Sequence, residues 1–160
     1  MKRAVSLFPT QFHRHKHDGR APRLRPDAVI PTAGSRYAAG YDLYACMDAP
    51  VTIAPRATVM IGMGFSLALP EGYFGAVFAR SGLASKQGLR PANCVGVCDC
   101  DYRGEYKVPL FNDSDVPRVV APGDRVAQLV VLPCLSLAFE ETDALPGTER
   151  GNNGFGSTGA

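Results

Sequence analysis

Arg118-Val119-Val120-Ala121-Pro122-Gly123-Asp124-Arg125-Val126-Ala127-Gln128-Leu129-Val130-Val131-Leu132 is two apolar, Val-rich runs divided by Pro-Gly-Asp. It reads as strand, turn, strand. The same grammar extends in both directions. Candidate strands lie near residues 51–53, 58–69, 72–79, 94–98, 105–112, 118–121 and 125–139, with Gly, Pro, Asn or Asp between them. Pro50, Pro55, Pro70, Pro91, Pro109, Pro117, Pro122 and Pro133 punctuate the series, which suits edges and turns and excludes long helices. Pro109, inside a run, predicts an edge strand or a bulge. Residues 83–87 are the one stretch that suits a helix, and a helix of a single turn. A βαβ nucleotide fold needs helical segments of about ten or more residues between strands, so the fold class is all-β, a sandwich or a jelly-roll-like barrel.

The chain has 160 residues and 46% hydrophobic content, enough for one core and one domain. No apolar run approaches the roughly 18 residues that span a bilayer, and the first 30 residues lack the apolar stretch of a secretory signal. The five cysteines, Cys46, Cys94, Cys98, Cys100 and Cys134, are odd in number and follow no disulfide spacing, which favours a reducing compartment. Cys94-x-x-x-Cys98-x-Cys100 lacks the paired spacing of structural zinc sites, so these thiols read as packing residues.

Charge divides the chain. Residues 1–26 carry seven Lys or Arg and one acid, Asp18, leaving ten basic against fourteen acidic residues in a body near −4. The His13-x-His15-x-His17 run with Arg14 and Lys16 is compatible with nucleic acid, a metal or an import receptor, and equally with a solvated, disordered tail. The segment is acid-poor and contains Arg, as transit peptides do, but lacks their Ser-rich amphipathic pattern. From Pro146 onward five glycines sit among Asn, Ser and Thr with one aromatic, Phe155. Such a segment buries no core of its own and is expected to be flexible until something holds it. No internal repeat is visible. The expected organisation is a basic tail (1–26), a β-rich core (27–145) and a Gly-rich arm (146–160).

Three segments carry chemistry. Gly154-x-Gly156-x-x-Gly159 formally matches a dinucleotide fingerprint, but that motif works between a strand and a helix, and here one residue follows it. What remains is a Gly-rich arm with Arg150 to grip phosphate, Phe155 to cover a base, and hydroxyls at Ser157 and Thr158. Arg80-Ser81-Gly82, where the 72–79 strand stops, offers a guanidinium, a hydroxyl and an open backbone N–H, an anion cradle or an ordinary turn. Residues 93–105 concentrate polar groups: Asp99, Asp101, Tyr102, Arg103 and Glu105. A carboxylate at a strand end suits a general base for water, and a turn whose carboxylates cap backbone N–H groups accounts for the same residues.

Taken in order, Ala39-Gly40-Tyr41-Asp42-Leu43-Tyr44-Ala45, Ala79-Arg80-Ser81-Gly82-Leu83-Ala84, the stretch 96–104, Gly123-Asp124-Arg125-Val126-Ala127-Gln128-Leu129 and Arg150-Gly151-x-x-Gly154-Phe155-Gly156-Ser157-Thr158-Gly159 resemble the five motifs of trimeric dUTPases. The resemblance spans residues 27–160. It implies a jelly-roll-like subunit in a homotrimer, with sites between subunits, that splits dUTP into dUMP and pyrophosphate, limiting uracil in DNA and supplying dUMP for dTMP synthesis. Asp99 would activate water for attack on the α-phosphorus. Tyr102 would lie under the deoxyribose, and Asn93 with the hairpin Gly96, Val97, Cys98, reaching Lys107, would read uracil. Arg80, Ser81, Gly82 and Gln128 would hold phosphates and the water. Mg²⁺ would arrive on the phosphates, with Asp42 organising the metal side only indirectly. Arg150, Phe155, Gly156 and Ser157 of the arm would close over a neighbour's site, Arg150 on the γ-phosphate and Phe155 on uracil.

The family usually has an aliphatic residue where Cys98 stands, and often Gly where Asn153 stands. A dCTP deaminase of similar fold is disfavoured, because Asp99, Tyr102 and the arm form the dUTPase set. A non-catalytic nucleotide-binding protein is disfavoured because each catalytic position is filled. The resemblance implies an intracellular enzyme, in cytoplasm or nucleus, with no membrane association and no stable nucleic-acid binding, organelle targeting by residues 1–26 being left open.

Overall fold

The computed structural model describes residues 19–152. The described chain is almost wholly β. A five-stranded antiparallel sheet runs in the order β1 (Thr32–Ala33), β2 (Tyr41–Tyr44), β10 (Arg125–Pro133), β5 (Tyr73–Ala79), β7 (Gly96–Cys98). A three-stranded sheet runs β4 (Thr58–Gly62), β8 (Lys107–Asn112), β6 (Leu89–Pro91), and β3 (Val51–Ile53) pairs with β9 (Arg118–Val120). The helix α1 (Ser81–Gln87) buries none of its residues. Apolar side chains of all three sheets meet in one core that includes Leu43, Ile53, Ile61, Met63, Phe65, Leu110, Val120 and Val126. Burying each such large side chain contributes roughly 1.5–3 kcal/mol.

The Pro122-Gly123-Asp124 stretch is a corner between sheets and not a hairpin, since β9 pairs with β3 while β10 joins β2 and β5. Gly123 takes φ 83°, the left-handed region open to glycine. The Asp124 carboxylate accepts the Ala121 N–H at 2.8 Å, and Ala45 exchanges backbone hydrogen bonds with Gly123 and Asp124 across the corner.

Several expectations change. The run 58–69 breaks after Gly62, because Gly64 adopts φ +67° and a Cβ there would lie 2.5 Å from Cys46 Sγ and 2.9 Å from Ala28 Cβ. Pro109 marks neither an edge nor a bulge: β8 is the middle strand of its sheet and pairs in register with β4. The Pro109 carbonyl accepts the Ala92 N–H at 2.7 Å, so the proline nitrogen faces the side where β6 has already ended at Pro91. The helix has two turns and not one. β10 stops at Pro133, six residues short of the expected end, and leaves Leu135, Leu137 and Phe139 exposed. The basic segment is not a free tail through residue 26. Arg20 exchanges backbone hydrogen bonds with Ala68, Leu24 and Arg25 donate to the Gly64 carbonyl, and Arg25 bridges Asp27 and Asp48, holding both carboxyls below their usual range.

Asn112, fully buried, ties the β8 end to its surroundings. Its Nδ2 donates to the carbonyls of Ile53 (3.0 Å) and Val116 (2.8 Å), and its Oδ1 accepts from Ser114 N–H (3.0 Å) and Oγ (2.7 Å). Asn112→Ala strands these partners and is expected to lower stability by about 2–4 kcal/mol, read by denaturant unfolding at fixed protein concentration.

Candidate functional site

One polar cluster forms where β2, β10 and the end of β5 lie side by side. Asp42 and Gln128 are register partners, and Gln128 also faces Phe78. The Asp42 carboxylate, mostly shielded, accepts Arg80 Nε at 2.9 Å and Arg125 Nη1 at 3.1 Å. Arg125 reaches it because a register shift between Arg125 and Ala127 sets Arg125 opposite Tyr44. Without that bulge Arg125 would fall on the other face of the sheet. Gln128 Nε2 donates to the Ala79 carbonyl at 2.9 Å, and a Cβ on Gly40 would stand 3.0 Å from Gln128 Oε1. Ser81 and Gly82 open α1, whose first-turn N–H groups have no partner within the helix. A Cβ on Gly82 would meet nothing within 4 Å, so packing does not demand glycine there. Beside the cluster, Arg80, Leu83, Gln87, Val119, Asp124 and Arg125 line an open cleft of about 240 Å³.

A second cluster is the loop between β7 and β8, which crosses from one sheet to another and is not the hairpin that was expected. Asn93 is exposed in the turn before β7, its carbonyl accepting the Val95 N–H at 2.6 Å and its Nδ2 lying over Gly96, 3.4 Å from where a Cβ would stand. Gly96, Val97 and Cys98 form β7 on the edge of β5. Asp99 is the first residue past that ladder and is exposed, as is Asp101. The Asp99 carbonyl accepts the Tyr102 N–H at 3.2 Å, and the Tyr102 hydroxyl donates to the Glu105 carbonyl at 3.1 Å. The Tyr102 ring lies so close over Gly104 that any Cβ there would collide with it. Arg103 Nη1 closes the turn on the carbonyls of Cys100 (2.7 Å) and Tyr102 (3.0 Å). Lys107 opens β8 and pairs with Glu105 at 3.4 Å, while the Glu105 carboxylate also accepts the Gly64 N–H at 3.0 Å.

These two clusters do not meet within one chain. Cys98 faces Gly75 in the ladder, which sets Asp99 level with Phe74. Arg80 stands six residues further along β5, about 20 Å away at strand rise. Arg150 is exposed at the end of a segment without regular structure that follows β10. Phe155, Gly156 and Ser157 lie outside the described residues.

Residues 27–159 match the sequence pattern of the dUTPase family. The chain belongs to the dUTPase family. It is 44% identical over 137 residues to the deoxyuridine 5'-triphosphate nucleotidohydrolase of Syntrophotalea carbinolica, covering 86% of this chain and 93% of that one. It is 50% identical over 141 residues to the enzyme of the same name from Desulfitobacterium hafniense, covering 88% and 89%. A solved dUTPase of Staphylococcus bacteriophage 80alpha with dUpNHpp superposes with a TM-score of 0.79 at 24% identity, covering 89% of this chain and 99% of that one. This likeness establishes the dUTPase fold, all-β and jelly-roll-like.

Arg125, Gly40 and Gly104 lie inside the dUTPase-like motifs, yet no role for them was readable from spacing. Arg125 needs the bulge, and the glycines need the neighbouring side chains, to acquire meaning. Among the described residues no three His, Cys, Asp or Glu come together as a metal cage, and the Asp42 oxygens are engaged by two arginines. The described residues of one subunit therefore offer no preformed Mg²⁺ cage.

The five thiols differ sharply in setting. Cys94 is exposed, whereas burial pushes the Cys46 and Cys98 thiols up. Iodoacetamide at about pH 8 is expected to alkylate Cys94 well ahead of Cys46 and Cys98, scored by peptide mass spectrometry. Equal rates at Cys94 and Cys98 would mean that β7 detaches from β5 in solution.

Proposed function

We propose that the family's reaction, hydrolysis of dUTP to dUMP and pyrophosphate, is carried out here between subunits of a homotrimer. In this arrangement Asp99 of one subunit faces Arg80, Ser81, Gly82 and Gln128 of another. Membership of the dUTPase family supports the activity. The separation of Asp99 from Arg80 within one chain supports the shared site, because a water held by a base must lie within hydrogen-bond reach of a phosphorus held by the cradle. The exposed alternation Leu135, Leu137, Phe139 after β10 supports a partner surface.

In the reaction a triphosphate bearing about four negative charges binds where Arg80 and the N–H groups of Ser81 and Gly82 are offered. Gly82 leaves open space above that backbone, which a phosphate oxygen can enter. Asp42 holds Arg80 by its Nε, so the guanidinium is oriented before substrate arrives. Gln128, its amide nitrogen fixed on Ala79, presents its oxygen to the attacking water. Asp99 takes the proton as that water bonds to the α-phosphorus. The bond from this phosphorus to the α,β-bridging oxygen breaks, and pyrophosphate leaves with the electron pair. Mg²⁺ carried by the substrate would supply charge neutralisation there, with Asp42 helping to organise the metal side only indirectly.

Specificity comes from β7 and the loop that follows it. Asn93 and the backbone of Gly96, Val97 and Cys98 read the uracil edge, with Lys107 at the far end. Tyr102, pinned by Glu105 and stacked on Gly104, lies under the sugar and excludes a 2′-hydroxyl. The arm of a further subunit closes the site, Arg150 on the γ-phosphate, Phe155 on uracil, Gly156 and Ser157 at the phosphates, shutting out bulk water. On this reading the enzyme works inside the cell, in cytoplasm or nucleus, without membrane or stable nucleic-acid association; the substrate and the free cysteines support the intracellular part.

Two experiments test this reading. With Mg²⁺, pyrophosphate release is expected from dUTP and far less from dCTP, dTTP or UTP, and Asp99→Asn is expected to abolish turnover while dUTP still binds. Comparable turnover of UTP would remove Tyr102 from its role, and an active Asp99→Asn enzyme would require another base. Second, Asp99→Asn and Arg80→Ala chains, each inactive, are expected to regain activity when unfolded together and reassembled, with about one quarter of the sites intact at equal mixing. A mixture that stays inactive would place both residues of each site in one chain.

A further inference from the structure

Tyr106 sits directly behind the loop that bears Asp99 and Tyr102. Its side chain is 2% exposed, and its hydroxyl is a buried polar atom without a hydrogen-bond partner among the described residues. An unpaired buried hydroxyl costs stability, and phenylalanine would fill the same core volume without that cost. The hydroxyl has a definite place. It lies 3.3 Å from where a Cβ on Gly75 would stand, and Gly75 is the ladder partner of Cys98, the residue before Asp99. The Cys98 thiol is the polar group beside it, and burial together with that neighbour pushes the hydroxyl above its ordinary range. It is therefore protonated at every working pH.

The rest of Tyr106 is held hard. Its N–H donates to the Phe65 carbonyl and its carbonyl accepts the Met63 N–H, both at 2.9 Å. Its ring stacks on Phe65 with centroids 5.3 Å apart at 20°, and meets the Tyr102 ring at 6.1 Å and 54°. β7, in contrast, is three residues long and paired along one edge alone. Asp99, just past its end, is tied on its far side to its own turn through the Tyr102 N–H, so the seat of Cys98 sets its height above the sheet.

We propose that Tyr106 is a positioning residue for the reaction, its buried hydroxyl wedged against Gly75 and Cys98 so that Asp99 is held at the height from which it can take the proton of the attacking water. The inference rests on Asp99 being the base. Loss of the hydroxyl leaves room for Cys98 to sink toward β5 and takes Asp99 with it, while the ring that backs Tyr102 stays in place.

The test is Tyr106→Phe in the full-length assembled enzyme, with Asp99→Asn beside it. The expected result is a rise in Tm with a fall in kcat of about tenfold, while KM for dUTP stays within about twofold and the preference for dUTP over UTP is kept. A kcat equal to wild type overturns the proposal. A joint fall of kcat and Tm, or failure to fold, makes the hydroxyl merely structural and overturns it as well. Loss of the preference against UTP would move the effect to Tyr102, again overturning it. An active Asp99→Asn enzyme defeats the assignment of the base itself, whereas an inactive one beside an unaltered Tyr106→Phe enzyme defeats this inference alone.

Discussion

β10 is paired with β2 from Arg125 to Leu129 on one edge and with β5 from Ala127 to Pro133 on the other, and these two overlapping ladders set the position of almost every polar group of interest. It brings Asp42 opposite Gln128 and Gln128 beside the end of β5. Through its bulge it turns Arg125 onto the face that Asp42 occupies. A slip of one residue in either ladder would send Gln128 to the opposite face and dissolve the cluster. β5 then carries the register onward to β7, where it settles how far Asp99 lies from Arg80. The shape of the site follows from strand pairing before any functional side chain is considered.

That dependence explains what was legible in the sequence. The all-β class was readable because Val-rich runs and prolines recur along the body, and the motif residues could be named because their order along the chain is distinctive. Strand ends were not readable where glycine or proline acts through its neighbours. Gly64 breaks an apparently continuous run, and Pro109 sits harmlessly in a middle strand because β6 has already stopped. β1, β2 and β6 were missed because two to four residues of ordinary composition carry no period of their own. The bulge at Arg125 is a property of two paired strands and cannot be seen in either one alone. Phe155, Gly156 and Ser157 belong to residues beyond the described structure, and their assignment remains one of resemblance.

The two polar clusters differ in how they are held. Around Asp42 the hydrogen bonds also stabilise the subunit, since both arginines satisfy the carboxylate and Gln128 satisfies the Ala79 carbonyl. The loop after β7 is held by contacts that serve shape more than stability: a tyrosine ring lying against a glycine, an arginine closing its own turn, and a buried phenol with no hydrogen-bond partner among the described residues. In the proposed site, a firmly held anion cradle on one subunit would be matched with a less firmly anchored base on another.

The exposed alternation after β10 has a consequence for the life of the newly made chain. Leu135, Leu137 and Phe139, the last 93% exposed, follow a strand without belonging to it. Until another surface covers them they form a short apolar segment of the kind that also pairs with wrong partners. If the proposed trimer covers them, folding and assembly are linked by mass action: dilution prolongs the vulnerable interval and crowded synthesis shortens it, while the same crowding raises the rate of misassembly. The abundance of this protein, as much as its sequence, sets how much of it reaches a working form.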